Sequence, residues 1–452
     1  MKAKVDAFVC EVSQFFNREI VEANALESGF VERESKLTGH LFLMVFTFSF
    51  SIFEAPSLNN LVGLLNEIVP KLEITRQGLH DRINDEAVIF FESMLAKAIQ
   101  LKIPSDVHLQ TLQMFTRILF FDGTSFQLPD ELADYFRGSG GGASQAAIKI
   151  LFGYDIKSCQ FLYIIQDGTT PDNLEKSGMF NELNPGDLTI NDLGFFNIGT
   201  FIKMDIKDIY YLSRLLPNVT LYQNNEDGEL EKFDLIKCLK QMKSSQCEIE
   251  VYLKKGNQTT KTRLIIEKMP DQVKNERLRK INKTNKKKGR TTSEQSKVLA
   301  GFGLYITNTP AETIQAKHVQ PLYAIRWQIE LIFKNWKSNF NLAKVSGERP
   351  QRIKCLIYAK LLFIFVTTKL ISIVRIETWI TKRREVSFYQ AGKHIKTIAM
   401  AWLMDCIKKP ENVINILKRA TKFIKNHCLK GKSKKRIYPL EFLEIIENKA
   451  LA

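Results

Sequence analysis

Tyr323-Ala-Ile-Arg-Trp-Gln-Ile-Glu-Leu-Ile-Phe-Lys-Asn-Trp-Lys337 is the stretch on which the reading of this 452-residue chain turns. At about 100° per residue, Tyr323, Arg326, Glu330, Lys334 and Lys337 fall within about 80° of one helix face. Ile325, Ile329, Ile332 and Trp336 cluster on the opposite face, the pattern of a helix laid on a core. One carboxylate thus stands among three cations and a phenol, a set suited to holding a divalent metal while clamping phosphates. The same spacing also fits an ordinary solvated face, because Glu330 and Lys334 form an i,i+4 pair.

Two aspartates upstream favour the metal reading. Asp122 closes the apolar run Ile118-Leu-Phe-Phe121 and is followed by Gly-Thr-Ser-Phe-Gln-Leu-Pro. Asp192 closes Asp187-Leu-Thr-Ile-Asn191 and is followed by Leu-Gly-Phe-Phe. Both runs read as short buried strands with an acid where the chain leaves the sheet, which is where α/β sheets build sites. Taken singly, each aspartate also suits a plain turn. Together with Glu330 they supply the three carboxylates that a two-metal phosphoryl-transfer centre needs.

From about Phe120 to Phe340 these motifs resemble those of the DDE transposases of bacterial insertion sequences, in the cut-and-paste group with a Tyr-Arg-Glu-Lys signature. Tyr323, Arg326, Glu330 and Lys337 match the spacing of that signature, and Lys334 matches its extra lysine. Asp122 to Pro129 is similar to the motif around the family's first aspartate, and Asp192 to Phe196 to that around its second. The resemblance implies that Asp122, Asp192 and Glu330 are catalytic and bind two divalent ions, Mg²⁺ or Mn²⁺. It implies that Tyr323, Arg326, Lys334 and Lys337 contact DNA. The partners implied are double-stranded DNA, as terminal inverted repeats and as target, and a second copy of the chain in a synaptic homodimer. The family can place a tryptophan, as a platform for a flipped base, shortly before the strand leading to the signature helix. Phe302 occupies that place here, and the tryptophans stand elsewhere, at 327, 336, 379 and 402.

Composition agrees. The formal net charge of +16 suggests a polyanionic partner. Residues 274–290 carry nine basic side chains and one acid, and 418–436 carry nine and none, leaving the rest of the chain close to neutral. Both segments read as nucleic-acid contacts, with solvated basic loops as the plain alternative. The seven cysteines form no Cys-x-x-Cys pair, and no signal peptide is recognisable, so reduced thiols in a bacterial cytoplasmic, nucleoid-associated protein are expected. Leu41 to Phe53 is too short to span a bilayer, and Cys355 to Ile376 is interrupted by Lys360, Lys369 and Arg375. Both read as buried helices rather than membrane spans.

The expected fold is α/β: a ribonuclease-H-like mixed sheet with a β-rich insertion, flanked by helical N- and C-terminal domains. Residues 1–115 read as a helical DNA-end-binding domain, in which Thr75 caps a helix running to about Leu101. Arg76, Gln77, His80 and Arg82 on its first turns suggest a helix-turn-helix reading head, and two packed helices fit equally. Residues 116–345 read as the catalytic domain, with strands at 118–128, 148–154, 160–166, 187–191, 210–216 and 302–307. Helices are expected at 173–183 and 195–205, and the β-rich insertion at about 217–300. The glycine-rich 137–142 reads as a hairpin connection rather than a P-loop, since no Lys-Ser/Thr follows it. Residues 346–452 read as a basic helical domain with an exposed loop at 431–436. Two competing functions remain on the sequence alone: a ribonuclease-H-like nuclease without strand transfer, and a DNA-binding relic with a decayed site.

Overall fold

The computed structural model describes residues 1–33, 35–103, 112–141, 143–345, 347–431 and 438–450. The side chains of Gln328 and Ile329 lie outside that description, as do most of the expected 431–436 loop and Gly142 of the glycine-rich connection.

Six helices open the chain: α1 (Lys2–Phe15), α2 (Arg18–Glu27), α3 (Gly39–Ile52), α4 (Leu58–Ile68), α5 (Arg76–Asp81) and α6 (Asp85–Gln100). Ser57 caps α4 in a reciprocal capping box with Asn60, and Thr75 caps α5. The helix expected to run from Thr75 to Leu101 is two helices. Asn84 takes an extended conformation and its side chain accepts from the Ala87 amide, so a new helix starts there.

Then follow β1 (Ile118–Leu128), β2 (Ala146–Asp155), β3 (Phe161–Asp167), β4 (Leu188–Asn191), α7 (Ile198–Ile206), β5 (Tyr210–Arg214), β6 (Tyr222–Asn224), β7 (Leu230–Lys232), α8 (Leu235–Gln241), β8 (Gln246–Lys255), β9 (Gln258–Lys268), α9 (Asp271–Lys287), α10 (Glu294–Leu299), β10 (Phe302–Thr307) and α11 (Ala316–Ser338). Among the described residues they form one ten-stranded sheet in the order β3-β2-β1-β4-β5-β10-β9-β8-β6-β7. β1, β4 and β5 run parallel, while β2, β3 and β10 are antiparallel to their neighbours. This is the mixed, ribonuclease-H-like sheet that was expected. The insertion extends the sheet instead of standing apart from it, because β10 pairs along its whole length with the second half of β9. It also carries three helices, and the 274–290 basic run is mostly the exposed helix α9, which buries none of its residues.

Residues 173–183 do not form the expected α-helix. The Asn173 side chain accepts from the amides of Glu175 and Lys176 as a helix cap does, but the chain turns out of the helix at Gly178, φ +82°, and only a short 3₁₀ turn at Met179–Glu182 follows. Asn197 caps α7, which delays that helix to Ile198.

The chain continues with α12 (Pro350–Lys382), α13 (Phe388–Lys408), α14 (Val413–His427) and α15 (Pro439–Ala450). α12 is long and apolar enough to cross a membrane, yet its most apolar stretch is wholly buried within the protein. It packs on α3, α6 and α1 from the N-terminal helices, and Phe365 stacks on Phe161 of β3 at 4.8 Å between centroids. N-terminal helices, one face of the sheet and C-terminal helices therefore share a single core, and the other sheet face has its own. The three buried cations of α12, Lys360, Lys369 and Arg375, are satisfied by what surrounds them. Lys369 donates to the carbonyls of Ala98, Ile99 and Leu101 beyond the end of α6 and to Gln160 Oε1. Lys360 donates to the carbonyls of Asn341 and Lys344, and Arg375 pairs with the buried Glu385.

Candidate active site

Strand register sets the floor of the site. Arg117, just before β1, donates through Nε to Oδ1 of the fully buried Asp187, just before β4, at 2.9 Å. The parallel ladder then pairs Ile118, Leu119 and Phe120 with Leu188, Thr189 and Ile190. Two residues further on, Asp122 and Asp192 stand level with each other. β5 continues the row: Asn191 pairs with Ser213, so Arg214 lies beside Asp192, and Tyr305 of β10 pairs with Arg214.

α11 forms the roof. Ile325, Ile332, Phe333 and Trp336 are buried, and Trp336 Nε1 donates to Thr368 Oγ1 of α12 at 3.1 Å. This anchoring turns Tyr323, Arg326, Glu330, Lys334 and Lys337 toward the aspartate row or the solvent beside it. Arg326 reaches both acids: Nη1 donates to Glu330 Oε1, and Nη2 lies 3.7 Å from Asp192 Oδ1. Lys337 Nζ lies 4.0 Å from Asp122 Oδ2 and 3.5 Å from the Gly123 carbonyl. Lys334 is exposed and points to solvent on the same helix.

Electrostatics reflect this crowding. Burial pushes the Asp122 carboxyl above its ordinary value; Lys337 pulls it back and Glu330 reinforces the rise. Burial lowers Arg326, but Tyr323, Asp192 and Glu330 outweigh it and hold the guanidinium above its usual range. Burial raises the Tyr323 phenol. Among the described residues, the buried Tyr323 Oη and Arg326 Nε have no hydrogen-bond acceptor of good geometry, which leaves two donors beside the acids. Among the described residues, no three His, Cys, Asp or Glu side chains converge into a group that could hold a metal. Arg326 stands between Asp192 and Glu330, and Lys337 beside Asp122, so each of the three acids has a side-chain cation as its neighbour. The donor set of three carboxylates nonetheless suits a hard divalent ion.

Phe302 lies apart from this cluster. It is the first residue of β10, half-buried, and lines a cavity of about 370 Å³ with Arg214, Arg277 and Lys280. Arg277 donates to the Phe302 carbonyl at 2.7 Å. Three residues along β10, Tyr305 meets the Tyr323 ring at 5.4 Å between centroids, so the cavity borders the aspartate row. Sequence reading did not single out Arg214, Arg277 or Tyr305. Arg214 had a usable signal, since it closes an apolar strand as Asp192 does.

Outside the sheet, the proposed reading head is only partly presented. Arg76 and Gln77 are exposed, but Arg82 folds its guanidinium over the Phe30 ring at 4.4 Å.

Residues 113–366 match the family model described as "Transposase DDE domain". The chain is 33% identical to the transposase for insertion sequence element IS231E of Bacillus thuringiensis subsp. finitimus, over 86% of this chain and 85% of that one. It is 26% identical to the transposase for insertion sequence element IS1151 of Clostridium perfringens, over 99% of this chain and 98% of that one. Among solved structures it is similar to the piggyBac transposase in a synaptic complex with hairpin DNA, at 11% identity and a TM-score of 0.41, over 95% and 88% of the two chains.

Proposed function

The chain belongs to the DDE transposases of bacterial insertion sequences, and on that premise we propose that Asp122, Asp192 and Glu330 form its DNA cleavage centre. Enzymes of this family bind DNA, cut phosphodiesters with the help of divalent metal, and transfer strands. The observation that carries the assignment is the level placement of Asp122 and Asp192 beneath a helix whose Arg326 already bridges Asp192 and Glu330. The three carboxylates would hold two ions, Mg²⁺ or Mn²⁺. Bound there, the ions supply activation of the attacking oxygen and stabilisation of the leaving one.

The protein's own part is to hold the phosphates. Arg326 offers a planar fork to a phosphate, and Tyr323 offers a hydroxyl that, among the described residues, has no acceptor. Lys334 and Lys337, exposed on the same helix, neutralise neighbouring phosphates. Phe302, beside three cations, offers a ring on which a displaced base stacks. In our reading the bound ends are terminal inverted repeats, contacted by the helices of residues 1–115, and two copies of the chain pair them. The site of action is the bacterial chromosome.

The test is cleavage of end DNA by Asp122→Ala, Asp192→Ala and Glu330→Ala, each expected to lose cutting while still shifting the DNA on a gel. A variant that cuts near-normally removes its residue from the centre. Pre-cut ends supplied with a target plasmid then separate strand transfer from simple nuclease action.

A further inference from the structure

Asp172 lies in the turn-rich segment between β3 and β4, behind the aspartate row. A side chain at position 123 would bring its Cβ within 2.8 Å of Asp172 Oδ1, and one at 194 within 3.8 Å of Asp172 Cβ and Oδ2. Asp172, whose side chain is 44% exposed, thus lies against the glycine that follows Asp122 and within reach of a side chain built at the glycine two residues past Asp192. Its carboxylate is tied down: Lys149 of β2, itself nearly buried, puts Nζ 2.6 Å from Asp172 Oδ1 and 2.8 Å from the Thr170 carbonyl. Gly123 is also a junction on its other sides, since its amide donates to Asp122 Oδ1 and its carbonyl accepts from Lys337. Beyond Phe120 no ladder bond joins β1 to β4, so the sheet alone does not set the separation of the two strand ends.

We infer that Asp172 is a positioning residue for DNA cleavage: held by Lys149, it spaces the strand ends that carry Asp122 and Asp192 by packing against Gly123 and Gly194. This rests on the reading of Asp122 and Asp192 as metal ligands. The negative charge of Asp172 is matched by Lys149, so its contribution is the fixed wedge rather than a further ligand.

The test is Mn²⁺ binding to the full-length protein without DNA, followed through the paramagnetic resonance of free Mn²⁺. Asp172→Ala is expected to weaken Mn²⁺ binding by roughly tenfold, the scale typical of groups that orient metal ligands. Gly123→Ala, whose new methyl meets the Asp172 carboxylate, should weaken it at least as much. The double variant should bind no worse than the weaker single one, because removing Asp172 also removes the clash. Additive losses, or an unchanged Asp172→Ala, overturn the inference. Melting curves check that each variant is folded. Should Asp172→Ala unfold, Asp172→Asn keeps the wedge and loses only the charge, so near-unchanged binding is expected in it, and a loss of roughly tenfold would make the charge rather than the wedge the contribution and overturns the inference. Asp122→Ala and Asp192→Ala serve as the reference. If neither lowers Mn²⁺ affinity, the metal reading itself fails and takes this inference with it.

Discussion

Asp122 on β1 and Asp192 just past the end of β4 each lie two residues beyond the last registered pair of two parallel strands, Phe120 and Ile190, so the register carries both acids to the same row. Neither residue makes that alignment locally. It follows from the Arg117–Asp187 pair at the other end of the same two strands, which leaves the ladder one register in which a buried carboxylate is satisfied.

Burial makes the ionised Asp122 costly to the fold. Burial raises its carboxyl above the ordinary value, so its stabilising share is present below the unfolded value and lost as pH rises through the folded one. At neutral pH the ionised form is therefore the disfavoured one. Metal-free Asp122→Asn should melt roughly 1–3 °C above the unaltered protein at pH 7, and should gain less than it from added Mn²⁺. A lower melting point would mean that attraction to Lys337 outweighs burial.

α9 fully buries no residue and presents Arg279, Lys280, Lys283, Lys286 and Lys287 to solvent, with Arg277 turned to the Phe302 cavity. Replacing Lys283, Lys286 and Lys287 by alanine should reduce DNA affinity and lower the slope of log K against log salt by roughly 2–3, since each lost phosphate contact releases about one counterion fewer. An unchanged slope would make the helix a solvated strut.

Phe302 can be tested by size. Stacking of a base on an aromatic ring contributes roughly 1–3 kcal/mol. Phe302→Ala should still nick end DNA but fail to form a hairpin, whereas Phe302→Trp should do both. Normal hairpins from both variants, or loss of fold in both, would return Phe302 to the strand core.

Burial brings the Lys369 amine down to about 7, and Lys360 likewise to about 7. An unfolded lysine keeps its proton to about pH 10.4, so between those values the unfolded chain holds protons that the folded chain has released. Stability should therefore rise from pH 7 to 9, read as the urea midpoint. Lys369→Met should flatten that rise by up to about 1.4 kcal/mol per pH unit. An equally steep rise in the variant would show that Lys369 stays charged in the fold.

Much of the catalytic segment was legible because its signals are local. The apolar run before Asp122 predicted β1 with its observed ends, and a 3.6-residue period put the five signature residues on one face of α11. What escaped depends on partners distant in sequence. Nothing in 210–216 or 302–307 reveals that Arg214 and Tyr305 stand opposite each other, or that β9 would extend the sheet. Arg82 suited a reading surface until Phe30 supplied a ring for it to cover. The helix expected at 173–183 has its cap in Asn173 but is stopped after one turn by Gly178 at φ +82°. The approach of Asp172 to Gly123 is a contact that no pattern in the sequence announces.

The 33 residues of α12 bear on the heredity of such an element as well as on its chemistry. A gene copy broken after α11 keeps every motif of the signature yet loses the pillar against which both α6 and the sheet are packed. Its product would be cleared by proteolysis before it could compete with intact copies for element ends. Decay of the reading frame then yields silence rather than interference, and neighbouring intact copies go on moving unopposed.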